Sequence, residues 1–266
     1  MSERMIATRG LTRCYGDTRA VDSLTLEVQA GEIFGVVGRN GAGKSTLVKM
    51  LTTLLPPTSG SASIAGFDLV ADAARVRRLI GYVPQALSAD GELTGYENLL
   101  VFAKLYDIPR AERGRRIAEA LRFMDLEDAA GRLVRGYSGG MIRRLEIAQS
   151  TLHRPRVLFL DEPTVGLDPL ARRAVWEHVR RLNDSLGTTV VLTTHYMDEA
   201  EELCARLAIL EAGRLSALGT PVELKGRVGP SATLDDVFAH FTGGRIEREG
   251  RYGETELARR TASRLG

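Results

Sequence analysis

The stretch Gly38-Arg39-Asn40-Gly41-Ala42-Gly43-Lys44-Ser45 constrains this chain more than any other. It fits the pattern G-x-x-x-x-G-K-[ST], a phosphate loop that joins a strand to a helix. Its glycines let the backbone wrap around phosphates and aim N–H groups inward. A helix starting near Gly43 adds its positive dipole end. Lys44 offers a point charge to β- and γ-phosphates, and the Ser45 hydroxyl suits Mg²⁺. The flanks agree: Glu32-Ile33-Phe34-Gly35-Val36-Val37 reads as a buried strand, and Thr46 to Leu54 as a helix. The bland alternative is a Gly-rich turn with a stray lysine, but a chain so poor in Lys rarely makes this match by chance. An α/β fold with a nucleotide site follows.

Further along, Val157-Leu158-Phe159-Leu160 is wholly apolar, as a parallel strand covered on both faces should be. Asp161 and Glu162 emerge at its C-terminal end, the edge where open α/β sheets bind ligands. Asp161 suits Mg²⁺ through its water shell, and Glu162 suits a general base on an attacking water. By themselves they read as solvated acids at a strand end; a phosphate loop in the same chain tips the reading to chemistry. His195 follows the apolar run Thr189-Val190-Val191-Leu192-Thr193-Thr194, which places it at the same sheet edge, in reach of a γ-phosphate. A histidine there is otherwise a surface or capping residue. Gln85, after Gly81-Tyr82-Val83-Pro84, is a fourth candidate at such an edge.

Tyr137-Ser138-Gly139-Gly140-Met141 lies between the phosphate loop and the two acids. In this order the motifs resemble the ATP-binding-cassette (ABC) family over roughly residues 5–225. Gly38 to Ser45 is similar to its Walker A motif, with Thr46 following. Val157 to Asp161 is similar to Walker B, Glu162 to the catalytic glutamate, Gln85 to the Q-loop, Ser138-Gly139-Gly140 to the signature, Gly166-Leu167-Asp168 to the D-loop and His195 to the switch histidine. Tyr15, alone a packed loop aromatic, falls where the family stacks a ring on adenine.

The resemblance implies a RecA-like P-loop NTPase core, an antiparallel β subdomain and a helical signature subdomain over about 87–155. It implies ATP and Mg²⁺ as cofactors, with Ser45, Gln85 and Asp161 near the metal. Gly38, Asn40, Gly41, Gly43, Lys44, Ser45 and Thr46 would hold one nucleotide. Ser138, Gly139, Gly140 and Asp168 would serve the nucleotide of a second copy in an ATP-sandwich dimer. It implies a separate integral-membrane permease, and attachment through it to the cytoplasmic face of the membrane. One departure stands out: Met141 replaces the usual Gln, and a thioether cannot donate a hydrogen bond. The Tyr137/Met141 signature followed by Arg143 and Arg144, the run Leu93 to Leu99, and Thr233 to Phe238 resemble the ATPase subunits of daunorubicin-type drug-resistance exporters. That branch implies efflux of hydrophobic drugs, antibiotics or lipids.

Composition sets bounds. At 266 residues with 44% hydrophobic content, one full domain plus an extension fits. The net charge of +2 demands no nucleic acid. Cys14 and Cys204 lack metal or redox spacing and read as free thiols in a reducing compartment. Apolar runs such as Leu99-Leu100-Val101-Phe102-Ala103 fall far short of the ~20 residues that span a bilayer. No signal peptide is seen, so the chain is expected to be soluble and any channel to be another polypeptide.

Leu24, Leu26 and Val28 alternate as on one strand face, which suggests an antiparallel edge sheet over 5–30. Thr94 and Glu97 make a candidate capping box before a helix through Leu105. Ile117, Ala120, Leu121 and Met124 share a helical face, as do Ile142, Leu145, Ala148 and Leu152 on a helix from Met141. Ala212-Gly213 reads as a turn between short strands. Domain boundaries are expected at 1–225 for the cassette and 226–266 for a C-terminal extension. Around Leu234, Val237, Phe238 and Phe241 the extension reads either as a packing helix with a frayed tail or as a regulatory or dimer-supporting element. Two other functions stay in view: a soluble ABC-type switch on ribosomes or DNA, and nutrient import. The single cassette and the absence of sustained heptads disfavour the first; the signature disfavours the second.

Overall fold

The computed structural model describes residues 3–243; the expectations placed on 244–266 lie outside the described residues. The chain opens with β1 (Arg4–Tyr15), β2 (Thr18–Leu24) and β3 (Glu27–Gln29). Leu24, Leu26 and Val28 are all buried, but they do not share one strand. β2 stops after Ser23 takes a φ of 51°, and both β2 and β3 pair with β1, Leu24 opposite Leu11 and Val28 opposite Ile6. The buried Thr8 hydroxyl bridges the break: it donates to the Leu24 carbonyl at 3.0 Å and accepts from the Leu26 N–H at 2.9 Å.

Next come β4 (Ile33–Val37) and α1 (Lys44–Leu51). The helix begins two residues earlier than the sequence suggested and ends at Leu51. There the Thr52 hydroxyl bonds the Val48 carbonyl at 2.9 Å and Thr53 turns left-handed at φ 61°. β5 (Ser59–Ile64) and β6 (Phe67–Asp68) complete an antiparallel sheet ordered β2-β1-β5-β6, with β3 also on β1.

After α2 (Ala73–Leu79) and β7 (Ile80–Val83), the helical block holds α3 (Gly95–Leu105), α4 (Arg110–Phe123) and α5 (Gly139–Thr151). Thr94 and Glu97 form the reciprocal capping box at the start of α3. The chain then returns through β8 (Val157–Asp161), α6 (Pro169–Leu186), β9 (Thr189–Thr194), α7 (Met197–Leu203), β10 (Arg206–Glu211) and β11 (Arg214–Gly219). Ala212 and Gly213, at φ 46° and 80°, make the β10–β11 turn. α8 (Pro221–Gly226) leads to α9 (Leu234–Thr242), which packs on α7, α8, β10 and β11 and buries Leu234 and Val237.

The second sheet has the order β11-β10-β4-β9-β8-β7 and is parallel except for β11. Alternation along its central strands splits the core in two. Leu158, Leu160, Val190, Leu192, Leu207 and Ile209 join the helical side. Val157, Phe159, Val191, Ala208 and Leu210 join α1 and the antiparallel sheet. Both faces being covered is why these strands read as unbroken apolar runs. Register brings their C-terminal ends level, with Val37 opposite Thr194 and Asp161 opposite Thr193. Among the described residues no helix is long and apolar enough to cross a membrane.

Candidate functional site

The level strand ends form one rim, and the phosphate loop leaves β4 at that rim. Gly43 has a φ of 102°, and a Cβ there would stand 2.3 Å from the Ala20 carbonyl oxygen. Only glycine fits, because both the conformation and the neighbouring backbone exclude a side chain. The β10–β11 turn braces the loop from behind, where the Gly213 N–H donates to the Ala42 carbonyl at 3.1 Å. Asn40 and Gly41 are left at the exposed loop tip, and Thr46 is half-buried on α1.

Lys44 is buried, and its ammonium donates to the carbonyls of Gly38 at 2.6 Å and Arg39 at 3.2 Å. It also pairs with Glu162 Oε1 at 3.0 Å. An ammonium has three N–H donors, so each is engaged inside the chain. Glu162 sits just past β8 with a φ of 49°. For a residue other than glycine that conformation costs about 1–3 kcal/mol. It is held because the Glu162 N–H donates to the Thr193 carbonyl at 3.1 Å and to its hydroxyl at 3.0 Å. The turned backbone brings the carboxylate between Lys44 and His195, whose Nδ1 lies 2.8 Å from Glu162 Oε2. Asp161 Oδ1 accepts from the Ser45 hydroxyl at 3.1 Å and the Thr193 hydroxyl at 2.6 Å. Burial, helped by the charge of Asp161, pushes the Tyr82 phenol up to about 12.

Lys44, Glu162 and His195 are therefore joined in one set, and Ser45 and Asp161 in a second beside it, the two bridged by Thr193 and by chain adjacency. Ser45 and Asp161 present oxygen donors side by side. That donor chemistry fits Mg²⁺, which binds through one or two protein oxygens and fills the rest with water and phosphate. A carboxylate beside an imidazole and an ammonium can take a proton from water while phosphate charge is neutralised.

Among the described residues, Tyr15, Gln85, Ser138 and Asp168 make no hydrogen bond or ion pair with the side chains of this cluster. Tyr15 is exposed at the end of β1, with the Arg13 guanidinium 5.0 Å from its ring centroid. Gln85 is exposed just beyond β7, and its carbonyl accepts from Arg143 Nη2 at 2.7 Å. Ser138 is the N-cap of α5, its hydroxyl accepting from the Met141 N–H at 3.3 Å. Ser138 and Gly139 are exposed, whereas Gly140 is buried, and a Cβ on it would stand 2.8 Å from Ala171 Cβ. Met141 turns its thioether inward, half-buried against the helical core. Asp168 caps α6, accepting the Leu170 and Ala171 N–H groups at 3.0 Å each.

Sequence reasoning missed Thr193, which braces both acids at once. Its only signal was a hydroxyl residue inside an apolar strand. Also missed was Glu199 on α7, fully buried and accepting from the Thr164 hydroxyl at 2.8 Å and Trp176 Nε1 at 2.9 Å. Burial raises its carboxyl above the usual range despite these donors.

Fold and site together define a P-loop nucleoside triphosphatase: a mixed α/β core with an antiparallel β subdomain and a helical subdomain. The family model described as ABC transporter matches residues 21–165. The chain is 49% identical over 226 residues to a daunorubicin/doxorubicin resistance ATP-binding protein of Streptomyces peucetius, covering 85% of this chain and 68% of the relative. It is 42% identical to a Nod factor export ATP-binding protein of Cupriavidus metallidurans, covering 83% and 72%. Among solved structures, an ATP-binding subunit of an ABC transporter superposes with a TM-score of 0.79 at 32% identity, covering 89% of this chain and 99% of that one. A dimeric ATP-binding cassette in a post-hydrolysis state with ADP and Pi superposes at 0.72 with 28% identity, covering 81% and 98%. The chain belongs to the ABC transporter family as an ATP-binding, ATP-hydrolysing subunit.

Proposed function

We propose that this chain is the ATPase of an exporter that moves hydrophobic drugs, antibiotics or lipids through a separate membrane permease. The observation that carries the reading is the contact cluster of Lys44, Ser45, Asp161, Glu162 and His195 on one sheet rim, with the serine–glycine turn of α5 exposed elsewhere on the same chain. In this reading the phosphate loop from Gly38 to Thr46 holds ATP, and Tyr15 stacks on its base. Mg²⁺, when bound, neutralises phosphate charge, and Ser45, Asp161 and Gln85 would hold it. Lys44 must release at least one present acceptor to donate to a phosphate, since its donors are all committed. Glu162 then serves as base on the attacking water, oriented by His195 and by the Thr193 hydroxyl–backbone brace.

Ser138, Gly139, Gly140 and Asp168 complete the site of a second copy. α5 has an exposed N-terminus, and such ends attract anions. The similarity to a dimeric cassette supports this pairing. Hydrolysis loosens the pair, and the motion passes to the permease through the helical block and the loop after β7. Exposed apolar side chains there, Leu87, Val101 and Leu105, offer a dry contact. Attachment at the cytoplasmic face follows from that partner. Residues 1–225 form the working cassette and 226–266 the extension. Its helix α9 packs on the cassette, which favours a bracing role for that part.

Relatives named for daunorubicin/doxorubicin resistance, linearmycin resistance and Nod factor export are similar over 83–85% of this chain, and the 49% identity to the first favours a hydrophobic drug. Co-expression with a candidate membrane-spanning partner and reconstitution of the pair tests this. ATPase activity is expected to rise with daunorubicin. Co-purification with no membrane protein, or a pair stimulated by Nod factor and not by drug, would overturn the drug-export reading.

A further inference from the structure

α5 carries a stripe of buried polar side chains that catalysis as described above does not use. Arg143, Glu146, Gln149 and Ser150 recur at helical spacing and are 2–4% exposed. Most of their partners lie on β7 and the chain leaving it, and one, Asn98, lies on α3. Arg143 Nη1 donates to the Pro84 carbonyl and Nη2 to the Gln85 carbonyl, each at 2.7 Å. Arg143 Nη1 also pairs with Glu146 Oε2 at 3.0 Å. Glu146 Oε1 accepts the N–H of Ser88, the Ser88 hydroxyl at 3.1 Å and the Ala89 N–H at 3.3 Å. Gln149 Nε2 reaches Asn98 Oδ1 at 3.2 Å, and that oxygen holds the Asp90 N–H at 3.0 Å. Ser150 donates to the Tyr82 carbonyl at 2.9 Å.

Most of these bonds end on backbone atoms. The stripe therefore fixes the path of residues 82–90 whatever side chains that segment carries. A buried ion pair is weak evidence for stability, because desolvation offsets much of the attraction. Here the cost is visible: Arg143 Nε is buried without an acceptor, and burial lowers the guanidinium's affinity for its proton despite Glu146. An apolar stripe would pack as well. What apolar side chains cannot do is grip two carbonyls and two N–H groups of a loop. Arg143 lies on the same helix as the Ser138–Gly140 turn, little more than one turn away.

We propose that Arg143 and Glu146 are positioning residues that lock the loop bearing Gln85 to the helix bearing the signature turn, so that the two move as one body. This rests on the reading that the signature turn completes the ATP site of a second copy. Displacement of the loop by the permease, or of the turn by ATP, is then transmitted to the other through this pair. Neither side chain belongs to the Lys44–Glu162 cluster, and of the residues given to the chain's own nucleotide only Gln85 lies on the loop they hold, so ATP capture through the phosphate loop, Lys44 and Ser45 does not need them.

The test compares the full-length chain with the double variant Arg143→Met, Glu146→Met, which keeps volume and removes the charges. A second variant, Arg143→Lys, keeps the charge but cannot fork to two carbonyls. The expected result is a folded protein whose single-chain affinity for a fluorescent ATP analogue stays within about twofold. Its kcat falls by on the order of 10-fold or more, as misplacement of a catalytic half-site does. Amide exchange over 84–90 accelerates. Dimerisation with ATP in the Glu162→Gln background weakens in parallel, with Arg143→Lys intermediate in kcat. An unchanged kcat and dimer in either variant would overturn the proposal. So would ATP affinity and kcat falling together with Tm, which marks a merely structural pair. Should the double variant not fold, Arg143→Lys decides by the same readings. If Glu162→Gln chains with intact Arg143 and Glu146 stay monomeric in ATP, the composite-site reading itself fails and takes this proposal with it.

Discussion

The phosphate loop and the signature turn are both glycine-bearing helix starts, yet their surroundings are opposite. The start of α1 is closed in: Gly43 lies against Ala20, the β10–β11 turn stands behind the loop, and Lys44 has every donor committed within the chain. The start of α5 faces outward, with Ser138 and Gly139 exposed and one weak cap bond at 3.3 Å. Backbone N–H groups at a helix start seek an acceptor. The first set stands beside lysine and carboxylates in its own chain, and the second opens on solvent. In the function proposed above, the first is a preformed capture half and the second a capping half that serves another copy.

Changes on the capture side should give the largest effects. Glu162→Gln is expected to lower turnover by about 10²–10⁴-fold, the usual worth of a general base. It should leave binding of a non-hydrolysable ATP analogue no weaker, because it also removes the charge that holds Lys44. Phosphate release and analogue titration measure the two, and near-normal turnover would remove the base assignment. Ser138→Arg should lower turnover by on the order of 10²-fold, as misplacing one half-site does. ATP affinity of the single chain should stay the same, which separates the two halves within one protein.

Smaller effects compare the two glycine turns as structure. Gly43→Ala meets backbone oxygen in a left-handed conformation and should cost about 1–3 kcal/mol of stability. Gly140→Ala would bring a Cβ to 2.8 Å from the Ala171 Cβ, so the α5–α6 contact must widen, but no left-handed conformation is involved and a helix-propensity gain of ~1 kcal/mol offsets part of the crowding. Thermal unfolding of the pair should rank Gly43→Ala as clearly worse; the reverse ranking would mean the phosphate loop is less confined than its contacts imply.

The smallest effect concerns Glu199. Its folded-state carboxyl is raised by burial, so the native state binds the proton more tightly than the unfolded chain. That stability is fully present below the ordinary glutamate range and is lost as pH rises through the raised folded value. Glu199→Gln should flatten this fall, read as Tm against pH; an unchanged slope would place the pH response elsewhere.

Much of the capture half was legible because its chemistry sits in short runs. Lys44 and Ser45 are adjacent in sequence, as are Asp161 and Glu162, and the apolar strands before them announced the shared rim. What joins them was hidden. Thr193 reaches Asp161 only because β8 and β9 pair in that register, a contact between residues far apart in sequence. Arg143, Glu146 and Gln149 are charged or polar side chains off the apolar face of Ile142, Leu145 and Ala148, and nothing local marks them as buried. They are dry because the loop after β7 folds over them, and no local pattern encodes that. The broken strand at Leu24–Val28 was likewise decided by Thr8, a hydroxyl on another strand that supplies the missing backbone partners.

The composite site is tested most directly by mixing two dead proteins. Lys44→Ala chains lose the capture half and Ser138→Arg chains lose the capping half. Each alone should hydrolyse ATP at background rates. Mixed together, they form heterodimers in which the intact loop of one faces the intact turn of the other. The account predicts that turnover in the mixture rises well above the sum of its components. A mixture no faster than that sum, or Ser138→Arg chains that turn over ATP at the unaltered rate alone, would contradict it.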